Sequence, residues 1–217
     1  MKNTLWVFGD SFTMGHGCAS WYPSEYTKLY PKGDEYMWPN LLAKDLNLNV
    51  ENLGFAGNSN SSTLRILTQN IHKLKKGDYV ILGITDSYRF EIPYYDKMKN
   101  ILISTNKLND LTPGFEEDKY AQESLERYVK SFQIPYYKTL DKEVMKSIDS
   151  IKKFLNDTEI KTLSWRYIHT SNSDYFINIK PLETIEEHTK GKINDTHLSW
   201  NGHYEFYKKI IKLIQKI

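Results

Sequence analysis

The chain has 217 residues, 40% of them apolar and 14% aromatic, which suits one α/β domain and leaves too little for two full ones. Lys and Arg number 29 against 27 Asp and Glu, so the net charge of +2 gives no overall basic footprint for nucleic acid, and no apolar run approaches the ~20 residues of a membrane helix. The single cysteine, Cys18, excludes an internal disulfide and fits a reducing compartment; with no apolar leader after Met1, a cytoplasmic protein is expected.

Thr4-Leu5-Trp6-Val7-Phe8 reads as a short buried strand bounded by Gly9. A turn of mostly small residues follows, Asp10-Ser11-Phe12-Thr13-Met14-Gly15, in which Gly9 and Gly15 permit a tight bend. Ligands of open α/β sheets sit beyond the carboxyl ends of the strands, so Ser11 is a candidate for chemistry. From His16 to Tyr36 the chain is rich in turn residues and aromatics (Trp21, Tyr22, Tyr26, Tyr30, Tyr36), either a pocket wall or a loop packed down by its own rings. Trp38, Leu41, Leu42 and Leu46 predict a helix over 37–47, Val50–Leu53 a second strand, and 54–62 a Gly/Asn/Ser loop. Leu64, Leu67, Ile71 and Leu74 mark the next helix, ended by Gly77-Asp78, and Tyr79–Gly83 is the third strand.

Past Arg89, for which an ion pair with Glu91 or Asp86 is expected, the pattern loosens. Helices are predicted over Glu116–Phe132 and Leu140–Leu155, so 93–155 is expected to be a helical insertion between strands three and four. It is also the expected surface for a homo-oligomer, should the chain self-associate. Its Tyr94, Tyr95, Tyr136 and Tyr137 either face a substrate or pack inward. Lys161–Ile168 reads as a fourth strand with His169 at its end, and Tyr175–Ile179 as a fifth. Ser199 is placed to cap a last helix whose Phe206, Ile210, Ile214 and Ile217 share one face. The expected architecture is one α/β domain over 1–217: three layers, α/β/α, around a flavodoxin-like parallel sheet of about five strands.

A hydroxyl after the first strand and the pair Asp195 and His197 before the last helix are the parts of a hydrolytic triad. His197 suits the general base near neutrality, and Asp195, two residues away, can accept from its Nδ1 and leave Nε2 for Ser11. Gly57 and Asn58 follow the second strand on the same carboxyl side, where backbone N–H groups can meet a developing oxyanion. A metal site of Asp195, His197 and His203 is the weaker alternative, since nothing nearby supplies further ligands; no metal is expected. Gly15-His16-Gly17 lacks the spacing of a nucleotide-binding glycine fingerprint.

Gly9-Asp10-Ser11, Trp38-Pro39-Asn40-Leu41-Leu42, Asn52-Leu53-Gly54-Phe55-Ala56-Gly57-Asn58-Ser59 and the closing Asp195 and His197 together resemble the blocks of the SGNH (GDSL-type) hydrolases. Residues 93–155 lie outside the likeness. The resemblance implies cofactor-free ester hydrolysis through an acyl-serine, on acetylated sugars, lipids, thioesters or small esters, with transfer to another alcohol in some members. It also favours an oxyanion role for Gly57. The family typically carries Gly-x-Asn-Asp after the third strand, and here Gly83-Ile84-Thr85-Asp86 sets threonine in the asparagine's place. Either the Thr85 hydroxyl donates, or Asn58 or Asn60 takes over, or the oxyanion hole is incomplete; one such donor is worth ~2.7–4 kcal/mol in the transition state.

The expected partner is therefore a small-molecule or carbohydrate ester, the aromatic loops tilting toward a sugar-borne acetyl group, with neither nucleic acid nor membrane involved. A weakly active or inactive carbohydrate-binding or structural protein on the same fold is the alternative from another class. The bias of Lys over Arg, with abundant Asn and Ile, points to an AT-rich bacterial or phage genome.

Overall fold

A computed structural model describes residues 2–19, 24–85, 89–94, 97–103, 108–110, 123, 135–166, 177–178 and 182–216. In chain order the first half runs β1 (Thr4–Gly9), α1 (Ser11–Met14), α2 (Glu25–Leu29), α3 (Trp38–Asp45), β2 (Asn49–Gly54), α4 (Asn60–Asn70) and β3 (Tyr79–Ile84). Then come β4 (Arg89–Tyr94), β5 (Lys97–Ile103), β6 (Leu108–Asp110), α5 (Pro135–Asp157), β7 (Lys161–Arg166), β8 (Ile177–Asn178), α6 (Ile185–His188) and α7 (Trp200–Ile214).

The main sheet is parallel throughout, in the order β2-β1-β3-β7-β8. Its first strand lies inside, with Val7 level with Asn52 on one side and Ile81 on the other. Successive side chains of a strand point to opposite faces, and both faces here are covered, so the run Leu5–Phe8 is apolar without alternation. Leu5, Val7, Ile81 and Trp165 pack on one face against Trp38 and Leu42 of α3 and Phe206 and Ile210 of α7. Trp6, Phe8, Val80 and Leu82 pack on the other against Leu67 of α4 and Ile148 and Leu155 of α5. The result is the expected three-layer α/β/α arrangement. Among the described residues no helix is long and apolar enough to cross a membrane.

Two edges of this sheet behave differently. At the amino ends, the buried Asp78 carboxylate accepts from the Thr4 N–H (2.8 Å), the Trp6 indole (3.0 Å) and the Lys75 N–H (3.0 Å), clasping β1 to the approach of β3. At the carboxyl ends, β1 and β3 part company: β1 is followed toward β2, and β3 toward β7. That reversal of direction is where open α/β sheets keep their ligand crevice. Gly54 closes β2 there because a Cβ would lie 2.6 Å from the Met14 backbone nitrogen; the α1 turn sits directly on that strand end.

The insertion differs from the expectation at its start. It opens with an antiparallel sheet, β4-β5-β6, pairing Phe90 with Ile101 and Leu102 with Asn109, and is helical over Pro135–Asp157. The helix predicted over Glu116–Phe132, and Trp21, Tyr22, Tyr95 and His169, lie outside the described residues. Of the predicted strand at Tyr175–Ile179, the described part is Ile177–Asn178, paired with Trp165 and Arg166. Strand four runs over Lys161–Arg166.

Candidate active site

Ser11 is the first residue of α1, just after β1, one of the interior strands of the sheet. The Asp10 carboxylate caps this turn by accepting the Phe12 N–H (3.1 Å), and Gly15 ends it in the left-handed region at φ 97°. Two side chains from neighbouring elements hold the turn from outside. The Trp38 indole donates to the Phe12 carbonyl (3.0 Å), and the Asn52 carboxamide donates to the Thr13 carbonyl (3.0 Å). The nucleophile candidate is thus fixed by α3 and β2 as well as by its own loop.

The loop before α7 arrives from the other end of the sequence. Ser199 caps α7, its hydroxyl accepting the Gly202 N–H at 3.0 Å, as expected. The loop presses onto the segment after Ser11 so closely that a Cβ on Gly17 would lie 2.4 Å from the Leu198 carbonyl oxygen. This contact delivers His197: its Nε2 lies 2.8 Å from Ser11 Oγ and its Nδ1 2.6 Å from Asp195 Oδ1. The His197 backbone N–H also donates to Asp195 Oδ1 (2.9 Å). Ser11 is buried, whereas His197 and Asp195 remain partly open to solvent. Burial alone would raise the Asp195 pKa, but hydrogen bonds from His16 and from the side chain and backbone of His197 outweigh it and hold the carboxyl well below its ordinary range. An ionised carboxylate only accepts, so Nδ1 of His197 carries the proton and Nε2 is the acceptor that faces the Ser11 hydroxyl.

One residue of this cluster was not singled out in the sequence. His16 places Nε2 3.0 Å from Asp195 Oδ2 and stacks its ring on that of His197, with centroids 3.9 Å apart. Phe12 also approaches the His197 ring, at 5.1 Å. His203 lies behind these rings, fully buried, with Nε2 donating to the His16 carbonyl (2.9 Å). Burial lowers its pKa to about 4, so it is neutral at ordinary pH. Its ring thereby serves the His16 backbone. Among the described residues, His16, Asp195 and His197 are the group whose ligand atoms lie within 4.8 Å of one another and could hold an ion. His16 Nε2 and His197 Nδ1 each face a separate oxygen of the Asp195 carboxylate at hydrogen-bond distance, and His197 Nε2 faces the Ser11 hydroxyl.

The loops after β2 and β3 form the other side. Gly57 has φ 76°, and its loop is pinned beside the nucleophile turn because the Phe55 N–H (3.0 Å) and the Asn58 carboxamide (3.1 Å) both donate to the Gly9 carbonyl. Asn58 Oδ1 accepts from the Ser62 hydroxyl (2.7 Å) and from Asn100 (3.3 Å). Asn60 clamps Thr85 at two points, accepting its N–H and donating to its carbonyl, each at 2.9 Å. The carboxamides of Asn58 and Asn60 are thereby engaged in holding strand ends, while Thr85 is buried on the rim.

Arg89 places its Nη1 3.2 Å from Asp10 Oδ2, and Glu91 is instead bound by Arg65, whose Nη2 is 2.6 Å away; Asp86, the other partner expected for Arg89, lies outside the described residues. Tyr26 is fully buried, against Tyr30 (5.1 Å) and His188 (5.7 Å), while the Lys32 ammonium lies 4.5 Å from the Trp200 ring centre and 5.2 Å from that of Tyr36.

No protein-family model and no curated protein matches this chain. Solved structures do. A member of the lipolytic protein G-D-S-L family from Veillonella parvula is 13% identical, with 99% of each chain covered and a TM-score of 0.39. The psychrotrophic esterase EstA from Pseudoalteromonas sp. is 12% identical (99% of this chain, 97% of that one, TM-score 0.46). A carbohydrate esterase family 2 enzyme with a carbohydrate binding domain, from Corynascus thermopiles (Myceliophthora fergusii), is 11% identical (99% and 66%, TM-score 0.49).

Proposed function

We propose that the protein is a serine ester hydrolase of the SGNH type, acting through an acyl-serine intermediate. The observation that carries this reading is the 2.8 Å contact between Ser11 Oγ and His197 Nε2, made across 186 positions of sequence and continued at 2.6 Å to Asp195. In the proposed mechanism Ser11 Oγ attacks the ester carbonyl as His197 Nε2 takes its proton. Asp195 accepts from Nδ1 and favours the imidazolium as it forms. His197 then returns the proton to the departing alcohol oxygen, the C–O bond breaks, and Ser11 is left acylated. Water, activated by the same imidazole, releases the acid; an alcohol in its place would give acyl transfer.

For the oxyanion we assign the backbone N–H groups of Ser11 and Gly57 and the hydroxyl of Thr85. Asn58 and Asn60 are assigned a holding role, because both carboxamides already grip backbone groups. The proposed substrate is an acyl ester on a carbohydrate or another small molecule. Half-buried Trp200 and exposed Tyr36, bridged by Lys32, supply flat surface of the kind that stacks on sugar rings.

Threonine at 85 is the feature that favours the other reading, a carbohydrate-binding protein on the same fold. A fluorophosphonate probe separates the two: it labels the wild type and not Ser11→Ala if the esterase reading holds. A folded wild type that stays unlabelled overturns it. Nitrophenyl acetate, butyrate and longer esters then report the acyl length accepted.

A further inference from the structure

We infer that His16 is a positioning residue for the base pair of this site, a second imidazole that holds Asp195 and His197 in register with Ser11. The inference deepens the esterase reading and rests on it. The motivating geometry is a closed circuit of hydrogen bonds that begins and ends on the nucleophile residue. The His16 N–H donates to the Ser11 carbonyl (3.1 Å), and His16 Nε2 meets Asp195 Oδ2 (3.0 Å). Asp195 Oδ1 accepts from His197 Nδ1 (2.6 Å), and His197 Nε2 returns to Ser11 Oγ (2.8 Å).

Each link answers a freedom that the other three residues leave open. A carboxylate turns easily about its terminal torsion, since sp³–sp² rotors are broad. Both His197 bonds fall on Oδ1; His16 Nε2–H, donating from a buried ring, adds a bond on Oδ2 and so restrains the plane of the carboxylate from its other oxygen. The imidazole of His197 can tilt about its own axis, and the His16 ring stacked at 3.9 Å lies against one of its faces. His16 is in turn immobilised from behind, because the buried His203 donates to its carbonyl (2.9 Å). Only the bond from Nε2 to Asp195 depends on the histidine side chain, and a residue kept only for packing would not need it.

Two substitutions divide the donor from the ring. His16→Phe keeps a flat ring over His197 and removes the donor; His16→Gln keeps an N–H donor near the Nε2 position and removes the ring. With a nitrophenyl ester, His16→Phe is expected to lower kcat roughly 10–100-fold, the worth of a hydrogen bond to a charged group, with KM within about threefold of wild type. His16→Gln is expected to recover most of that loss. The inference is overturned if His16→Phe leaves kcat within about twofold of wild type, or if His16→Gln loses as much as His16→Phe.

Nitrogen-15 spectra of the histidines add a readout independent of turnover and of how well either variant folds. Asp195→Asn should move the signals of both His16 and His197. A His16 signal that stays put breaks the proposed contact whatever the kinetics show. A wild type that ignores the fluorophosphonate sinks the esterase reading, whereas a reactive wild type with an indifferent His16→Phe sinks this inference alone.

Discussion

The two sides of Ser11 are built on opposite plans. On the side of the loop before α7, side chains bond to side chains: His16, Asp195 and His197 exchange hydrogen bonds of 2.6–3.0 Å and stack ring on ring. On the side of the β2 and β3 loops, the strand ends themselves are held by side chains bonded to backbone: Asn58 holds the Gly9 carbonyl, and Asn60 holds both polar groups of Thr85. The contrast teaches a division of labour. Moving a proton needs titratable groups aligned with one another, whereas receiving negative charge on an oxygen needs N–H and O–H groups held still. Substitutions on the first side should therefore act on turnover, and those on the second partly on the stability of the loops.

Experiments can break that contrast at several strengths. Ser11→Ala should lower kcat/KM by about 10⁴-fold or more and abolish probe labelling, and His197→Ala should do nearly as much. Asp195→Asn, which imposes the wrong tautomer on His197, should cost about 10⁴-fold in kcat by analogy with other triads. Near-normal rates in any of the three would remove that residue from the mechanism.

A smaller effect concerns pH. His203 is held neutral with a pKa of about 4 in the fold, against about 6.5 in the unfolded chain. Above pH 6.5 both states are neutral and nothing is lost. As pH falls, the unfolded chain takes up the proton first, so unfolding free energy should decline by about 3 kcal/mol down to pH 4, where the folded state titrates too. Asp195 works below that window, because its carboxyl stays ionised past its ordinary range. Denaturant titrations at pH 7 and pH 4.5 test this, and His203→Gln should flatten the difference.

On the oxyanion side, Thr85→Val should lower kcat by about 100-fold, the worth of one donor, with KM little changed. A change under about threefold would leave the charge to backbone N–H groups alone. Asn60→Ala should cost about 2 kcal/mol of stability, since it strands a buried N–H and carbonyl of Thr85. If it proves as stable as wild type yet catalytically dead, Asn60 meets substrate and the contrast drawn above is wrong.

Much of this site was readable from the chain, for a physical reason. Continuous apolar runs such as Leu5–Phe8 and Val80–Leu82 are what a strand buried on both faces requires, and the punctuating glycines mark where each strand meets the rim. Ser11, Asp195 and His197 stood out because their chemistry is specific and their neighbours are turn residues. His16 did not. It sits between Gly15 and Gly17 and reads as part of a bend, and only the approach of Leu198 to Gly17 sets it against Asp195. Arg89 shows the same limit: Glu91 is near in sequence, but Arg65 holds it, and Arg89 meets Asp10, 79 positions away. The β4-β5-β6 sheet was missed because Pro93, Lys97, Lys99 and Asn100 are poor strand formers. Pairing partners made them strands, and pairing is not written in local propensity.

The 186 positions between Ser11 and His197 bear on how the protein comes into being. During synthesis the serine leaves the ribosome far ahead of the imidazole that would awaken it. Through most of translation the nascent chain therefore carries an ordinary, unreactive hydroxyl. On the proposed mechanism activity would begin only once α7 docks and brings His197 to Ser11, so turnover of a probe would double as a clock for that docking.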